Sequence, residues 1–422
     1  MTTMMVPTAS GCLLKIESLR SRAKRLTSLR KMLDLKSHQD IRQEQWEVIE
    51  SQLAAVSNKV QLQLKLYTDK YLADYHDPKI RSLLVNRLGE LEMELTEAYV
   101  FYDTFMDILT QRLSDVLGPL LAGCDVIAAD GLQRSFLADI TAPPLVYCER
   151  HYGASTLREG VRLAAHAPNP LPFIAIPYAR IEEKYNLISI YHEVGHQALA
   201  KLNLVKTMQK VFSEATAKAG AAPMLQGLFA NWSKELVPDF WAFALTGMAH
   251  TSSIRDVLML PQQYMFQVSP NQQHPPPFLR FLASVEWCRA LWGRGDWDDW
   301  AEAWCADFPM HQLDNITKDT IRAARKLLPV VANTLLHTRF RKLGNKPLLS
   351  LFDIDAVHPQ RLKPLANKES LTSAAFQRLP IGTQLAAFRL FRDKRIMKIN
   401  ELDTLMNQWI SQLPNQFLTL KK

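Results

Sequence analysis

Long apolar runs are absent from this 422-residue chain. Nothing approaches the roughly 18–20 consecutive apolar residues a membrane-spanning helix needs, so no transmembrane segment is expected. Residues Met1 to Ser10 carry no basic side chain and no apolar core, which argues against a secretory signal. Cysteine is scarce: five, at positions 12, 124, 148, 288 and 305, with no C-x-x-C pair. An odd, scattered set reads as reduced and mostly buried thiols, and the expected location is cytoplasmic. Glycine is sparse as well, with 15 against 23 prolines. Long periodic runs between the prolines point to a mainly helical chain. No internal repeat or low-complexity segment occurs.

What is present is the composition of a globular protein, 47% hydrophobic and 22% charged. The length exceeds a single core, so about two or three domains are expected. The net charge of +8 is uneven. From residue 311 onward there are 19 Lys/Arg against 8 Asp/Glu, leaving +11 there and −3 before it. A basic tail reads first as a solvated helical face; nucleic acid or another anionic surface is the alternative partner.

Residues 1–118 are expected to form a long-helix arm or bundle. Lys15 to Lys36 is basic and carries regularly spaced leucines. Trp46, Ile49, Leu53, Val56, Val60, Tyr67 and Tyr71 then hold a three-and-four spacing like a heptad seam. Asp77-Pro78 breaks it. Leu84, Leu88, Leu91, Leu95, Tyr102, Phe105, Leu109 and Leu113 line a third helix, whose Glu90, Glu92, Glu94 and Glu97 complement the basic first helix. The arm serves packing or, as a coiled coil, a partner.

Past Gly118-Pro119 the texture changes, and residues 119–310 read as the core. Two short apolar runs bounded by prolines, 144–148 and 172–177, predict strands. Prolines on both flanks of Ile174, Ala175 and Ile176 suit an edge strand. An edge there would offer free backbone groups to an extended peptide, which makes these residues substrate-binding candidates; mere support of the following helix is the other reading.

That helix carries His192-Glu193-Val194-Gly195-His196. Histidines at i and i+4 lie one above the other, so both imidazoles reach one ion, and the glutamate after the first sits toward the ion's open side. Leu187, Ile190, Tyr191, Val194, Ala198 and Leu202 supply the helical period, Asn186 a cap and Asn203 a stop. The alternative is two solvent-facing histidines on an ordinary helix. Further on, Glu235 and Asp239 stand four apart among Leu236, Phe240, Phe243 and Ala244. Acids on so apolar a helix need a partner if buried, and zinc with its histidines would be one.

H-E-x-x-H followed by E-x-x-x-D resembles the ligand pattern of the gluzincin metallopeptidases. The resemblance implies a zincin-like catalytic core with a small sheet, so the expected class is mainly α (α+β). It makes His192, His196 and Glu235 the ligands of Zn2+, Glu193 the general base, and Asp239 the carboxylate that orients a ligand histidine. Pro238, between Glu235 and Asp239, fits if Ser233 caps the helix and the proline ends its first turn; otherwise the helix kinks and Glu214 becomes the fallback ligand.

His274-Pro-Pro-Pro-Phe-Leu-Arg280 is similar to the H-P-P-x-x-x-R element of peptidases related to the CAAX prenyl protease and its bacterial heat-shock homologue. His274 and Arg280 are therefore catalytic candidates for stabilising an anionic intermediate, with Tyr264 and His250 as lesser ones. Trp297, Trp300 and Trp304 share a helix face, a packing stripe or a pocket wall, with Asp296 as its expected N-cap. Residues 311–422 are expected to be a basic helical region.

The function these readings imply is hydrolysis of a peptide or protein substrate by zinc-activated water. The alternatives are a zincin-fold sensor or scaffold that binds nucleic acid or a protein through its basic C-terminal helices, and a non-peptidase zinc amidohydrolase.

Overall fold

A computed structural model describes residues 7–137, 143–150, 153–158 and 169–419. The chain is mainly helical with a small sheet: among the described residues 74% are helical and 4% lie in strands. Among the described residues no helix is long and apolar enough to cross a membrane. Contacts divide the chain into two compact units. One comprises Met1–Ala122, Thr141–Cys148 and Leu157–Phe173; the other comprises Gly123–Ile140, Glu149–Thr156 and Ile174–Lys422. Residues 311–422 thus lie in the same unit as the H-E-x-x-H helix.

The first unit is built on α1 (Pro7–Arg25), α2 (Leu29–Leu33), α3 (Gln43–Tyr71) and α4 (Pro78–Thr110). The heptad-like stripe is buried at Trp46, Ile49, Leu53 and Val60, against Leu84, Leu88, Leu91 and Leu95 of α4. Asp77 caps α4 by accepting from the Lys79 N–H at 2.7 Å, and Pro78 takes the first helical position, where its missing N–H costs nothing. The expected charge match is made at Glu92, 2.6 Å from Lys15 and 2.7 Å from Arg22. Leu113 departs from its stripe: it falls in a 3-10 turn after α4 and is half exposed.

Helix α5 (Leu117–Leu132) follows, then β1 (Leu145–Glu149), β2 (Ser155–Leu157) and β3 (Phe173–Pro177). Their sheet has the order β1-β3-β2. This corrects the edge-strand expectation. β3 is the middle strand, with a neighbour on each side, and all five of its residues are buried. The flanking prolines bound it without exposing it.

The second unit continues with α6 (Tyr178–Glu182), α7 (Ser189–Lys201), α8 (Val205–Lys218), α9 (Pro223–Thr246) and α10 (Met248–Leu258). Next come α11 (Gln262–Met265), α12 (Pro277–Trp292), α13 (Asp296–Asp307) and α14 (Asn315–His337). A hairpin of β4 (Arg339–Phe340) and β5 (Lys346–Pro347) pairs antiparallel, Arg339 opposite Pro347. Helices α15 (Pro359–Leu365), α16 (Lys368–Leu371), α17 (Ile381–Asp393) and α18 (Ile399–Thr419) close the chain.

At the centre is α9, buried at every position from Glu235 to Thr246. A helix apolar on all sides belongs inside a layer of others. Phe240 and Phe243 both meet Trp287 at ring-centroid distances of 5.5 Å, and the Trp241 Nε1–H donates to the Gly131 carbonyl. Gly247, with φ of 58°, ends α9 in a conformation open to glycine and lets α10 begin at once. On α13 the cap is Gly295 rather than Asp296, with Asp298 accepting from its N–H at 2.8 Å. Trp297 and Trp304 are buried there, so that face is packing.

Candidate metal centre

Helix α7 brings His192, Glu193 and His196 to α9. Gly195 permits the approach: a Cβ there would lie 2.8 Å from Pro238 Cα and 3.0 Å from Trp241 Cβ, closer than real side chains come. The Pro238 expectation changes accordingly. Ser233 caps nothing; its Oγ donates to the Ala230 carbonyl inside a helix that began at Pro223. Pro238 sits mid-helix at the contact with Gly195, and α9 runs through it unbroken to Thr246. The cost of a helical proline, about 3 kcal/mol in an exposed helix, is set against packing on every side.

Asn186 does not cap α7 either. Ile188 holds the cap position without a side-chain bond, and Asn186 belongs to the preceding 3-10 turn Lys184–Asn186. Asn203 does mark the stop, with φ of 51° just beyond the helix end.

Three donor atoms converge. His192 Nε2 lies 3.2 Å from His196 Nε2 and 3.4 Å from Glu235 Oε2. His196 Nε2 lies 3.7 Å from Glu235 Oε1. Tetrahedral zinc with arms of about 2.0–2.1 Å puts neighbouring donors about 3.3 Å apart, so these residues fit the ion's size and its nitrogen-oxygen preference. Among the described residues this is the one cluster of three His, Cys, Asp or Glu side chains arranged to hold a metal. Glu214, the fallback, is exposed on α8 and pairs with Lys210.

Behind His192, its Nδ1–H donates to Asp239 Oδ1 at 2.7 Å, which leaves Nε2 facing the other two donors. Arg280 grips the same carboxylate with two parallel bonds, Nε to Oδ2 at 2.6 Å and Nη2 to Oδ1 at 2.8 Å. Its Nη2 is also 3.5 Å from Glu235 Oε2. Arg280 is thus turned toward Asp239 and Glu235, with its Nη2 also 3.4 Å from the His192 ring nitrogens. His274 stays open: its side chain is 64% exposed and its Nε2 is 3.5 Å from Glu235 Oε2.

Electrostatics follow from this geometry. Burial opposes charge on His192, but the charge and hydrogen bond of Asp239 outweigh it and raise the imidazole to about 10. Burial and the neighbouring His192 charge depress His196 to about 3. Glu193 is pushed up to about 7 by burial, against the pull of His192. Glu235 resists burial and is held down at about 2 by the His192 hydrogen bond and Arg280. Asp239 lies well below the carboxylate range despite burial, held by Arg280 and His192.

The remaining candidates are elsewhere. Ile174, Ala175 and Ile176 are interior residues of β3 and lose the edge that recommended them for substrate binding. His250 is buried on α10 against Trp287, and burial lowers it to about 4. Tyr264 is half exposed on α11. Sequence reasoning missed Asp130, which accepts from the Tyr191 hydroxyl at 2.8 Å beside the first ligand, and Thr156, which accepts from Gln197. Both come from segments distant in sequence and carry no local signal. An open cleft of about 740 Å³ is bordered by Gln262, Phe266, Gln267, Gln272 and Gln312, and none of the candidate site residues lines it.

No family model, curated protein or solved structure matches the chain.

Proposed function

We propose that this chain is a zinc-dependent peptidase of zincin-like architecture. The observation that carries the reading is the spacing of His192, His196 and Glu235 donor atoms, with a buried glutamate directly beside them in sequence. His192 and His196 would hold the ion through Nε2 and Glu235 through its carboxylate. When bound, zinc supplies Lewis acidity, polarising a carbonyl and lowering the pKa of a water toward about 7.

The chain's own groups do the rest. Glu193, raised by burial to about 7, is suited to take a proton from the attacking water and pass it to the leaving amine. Asp239 fixes the tautomer and orientation of His192, and Arg280 fixes Asp239. His274 is exposed at the rim and can donate a hydrogen bond to charge developing on the carbonyl oxygen.

Glu193→Gln tests this directly: zinc should remain bound at wild-type stoichiometry while digestion of a peptide library stops. Full activity in that variant removes Glu193 from the mechanism.

A scaffold reading draws on Arg339, Arg341, Lys342 and Lys346, all exposed in and around the β4-β5 hairpin. Binding of nucleic acid that weakens steeply with salt, in a protein without zinc, would favour it.

A further inference from the structure

The helix that carries the first ligand begins without a side-chain cap only three residues before His192. No cap therefore helps Tyr191, bonded to Asp130, and His192, bonded to Asp239, to set the rotation of the first turn, on which the donor spacing depends. The 3-10 turn leading into it is gripped instead by the C-terminal helices. Lys184 is buried and donates to Asp403 of α18 at 2.6 Å. The Tyr185 ring lies under Arg389 at 5.6 Å and Arg392 at 5.0 Å. Asn186 Oδ1 accepts from Arg389 Nη1 at 2.8 Å and from the Ser253 hydroxyl at 2.9 Å.

Arg389 is itself immobilised. It is fully buried on α17, donates to the Ser252 carbonyl at 3.0 Å and hydroxyl at 2.8 Å, and pairs with Asp256 at 2.8 Å and Asp393 at 3.2 Å. So many bonds to one planar group leave the guanidinium a single position.

We infer that Arg389 and Asn186 are positioning residues for the metal centre: α17 holds the start of α7 in register through them, so that His192 meets His196 and Glu235 at ligand spacing. This rests on the metal-centre reading above. A site held to within about 0.5 Å needs such support from groups that do not touch the ion. The basic C-terminal region thereby acquires a task in the site, with Arg389 facing inward while other cations face solvent.

The test is the rate at which zinc passes from the full-length protein to a chromogenic chelator, with thermal unfolding of the zinc-free protein alongside. Asn186→Ala removes the bond from Arg389 to the turn, keeps the Lys184 and Tyr185 contacts and leaves the Asp256–Arg389–Asp393 cluster intact; zinc release should quicken by about tenfold. Asn186→Asp keeps an acceptor for Arg389 but loses the Nδ2 bond to Glu183 Oε2 at 3.2 Å, and should restore part of the wild-type rate. Ser252→Ala removes a contact of Arg389 that does not reach the turn; it should lower the unfolding temperature and leave zinc release unchanged. Wild-type release from Asn186→Ala, or equal acceleration by Ser252→Ala, overturns the inference. If the wild type takes up no zinc at all, the metal-centre reading fails and the inference with it, an outcome distinct from a wild type that binds and variants that match it.

Discussion

Two arginines of the second unit, Arg280 and Arg389, sit in clusters whose charge is balanced in different ways. Around Arg389, Asp256 and Asp393 are met by the fixed charges of Arg389, Arg392 and the neighbouring Arg255. Around Arg280, the carboxylates of Glu235 and Asp239, with Glu193 near its own midpoint at neutral pH, face one guanidinium and a His192 raised to about 10. Burying charge is expensive unless it is compensated inside. The Arg389 cluster compensates itself and joins helices. The Arg280 cluster has an imbalance of fixed charge, made up by a proton on His192 that a dication at His192, His196 and Glu235 would displace. Compensation by an exchangeable proton in place of fixed guanidinium groups separates a site from a brace.

That contrast can be broken by metal. Zinc at about 100 times its Kd should stabilise the wild type by about 2.7 kcal/mol and His192→Ala by nothing, read from thermal unfolding with and without zinc. A wild-type curve that zinc does not move would place both clusters in the bracing class.

Removing one charge from each cluster sharpens it. Asp239→Asn and Asp393→Asn should each lower stability by about 1–3 kcal/mol in urea titrations. Only Asp239→Asn should also weaken zinc, by about 10- to 100-fold in chelator competition. Equal zinc affinity in the two variants would show that Asp239 does not support the ligand histidine.

The spacing of α7 and α9 underlies the imbalance. Gly195→Ala forces a methyl against Pro238 and should cost about 1–3 kcal/mol, with weaker zinc binding if α9 moves away. A variant with wild-type stability would mean the two helices tolerate more separation than their contact suggests. The smallest effect is expected in the other unit, where Glu92 pairs with Lys15 and Arg22 at a partly exposed position. Glu92→Gln should lower the unfolding free energy from urea titrations by less than about 1 kcal/mol, and a larger loss would show that the pair is more than a surface ion pair.

Legibility in the sequence followed the range of the forces involved. The stripes of α3 and α4 and the break at Asp77-Pro78 were readable because helical period and capping act over a few residues. The i, i+4 spacing of His192 and His196, and of Glu235 and Asp239, was readable for the same reason. The edge placement of Ile174 to Ile176 failed because prolines bound a strand without stating how many neighbours it has. Local rules penalise Pro238 and offered only a cap at Ser233 or a kink, whereas α9 continues through the proline among surrounding helices. Asn186 has the residue type of a cap, and its partners Arg389 and Ser253 lie far away in the chain.

The sequence by itself determined the donor types, their spacing within each helix and the mainly helical class, since these depend on residue chemistry and helical geometry. Tertiary structure decided that the two helices meet at Gly195 and Pro238 and that Arg280 grips Asp239. It also decided that β3 lies in the middle of its sheet and that a C-terminal arginine holds the turn before the first ligand. Those outcomes depend on which distant surfaces bury each other, and packing free energy belongs to the assembled core rather than to any local stretch of chain.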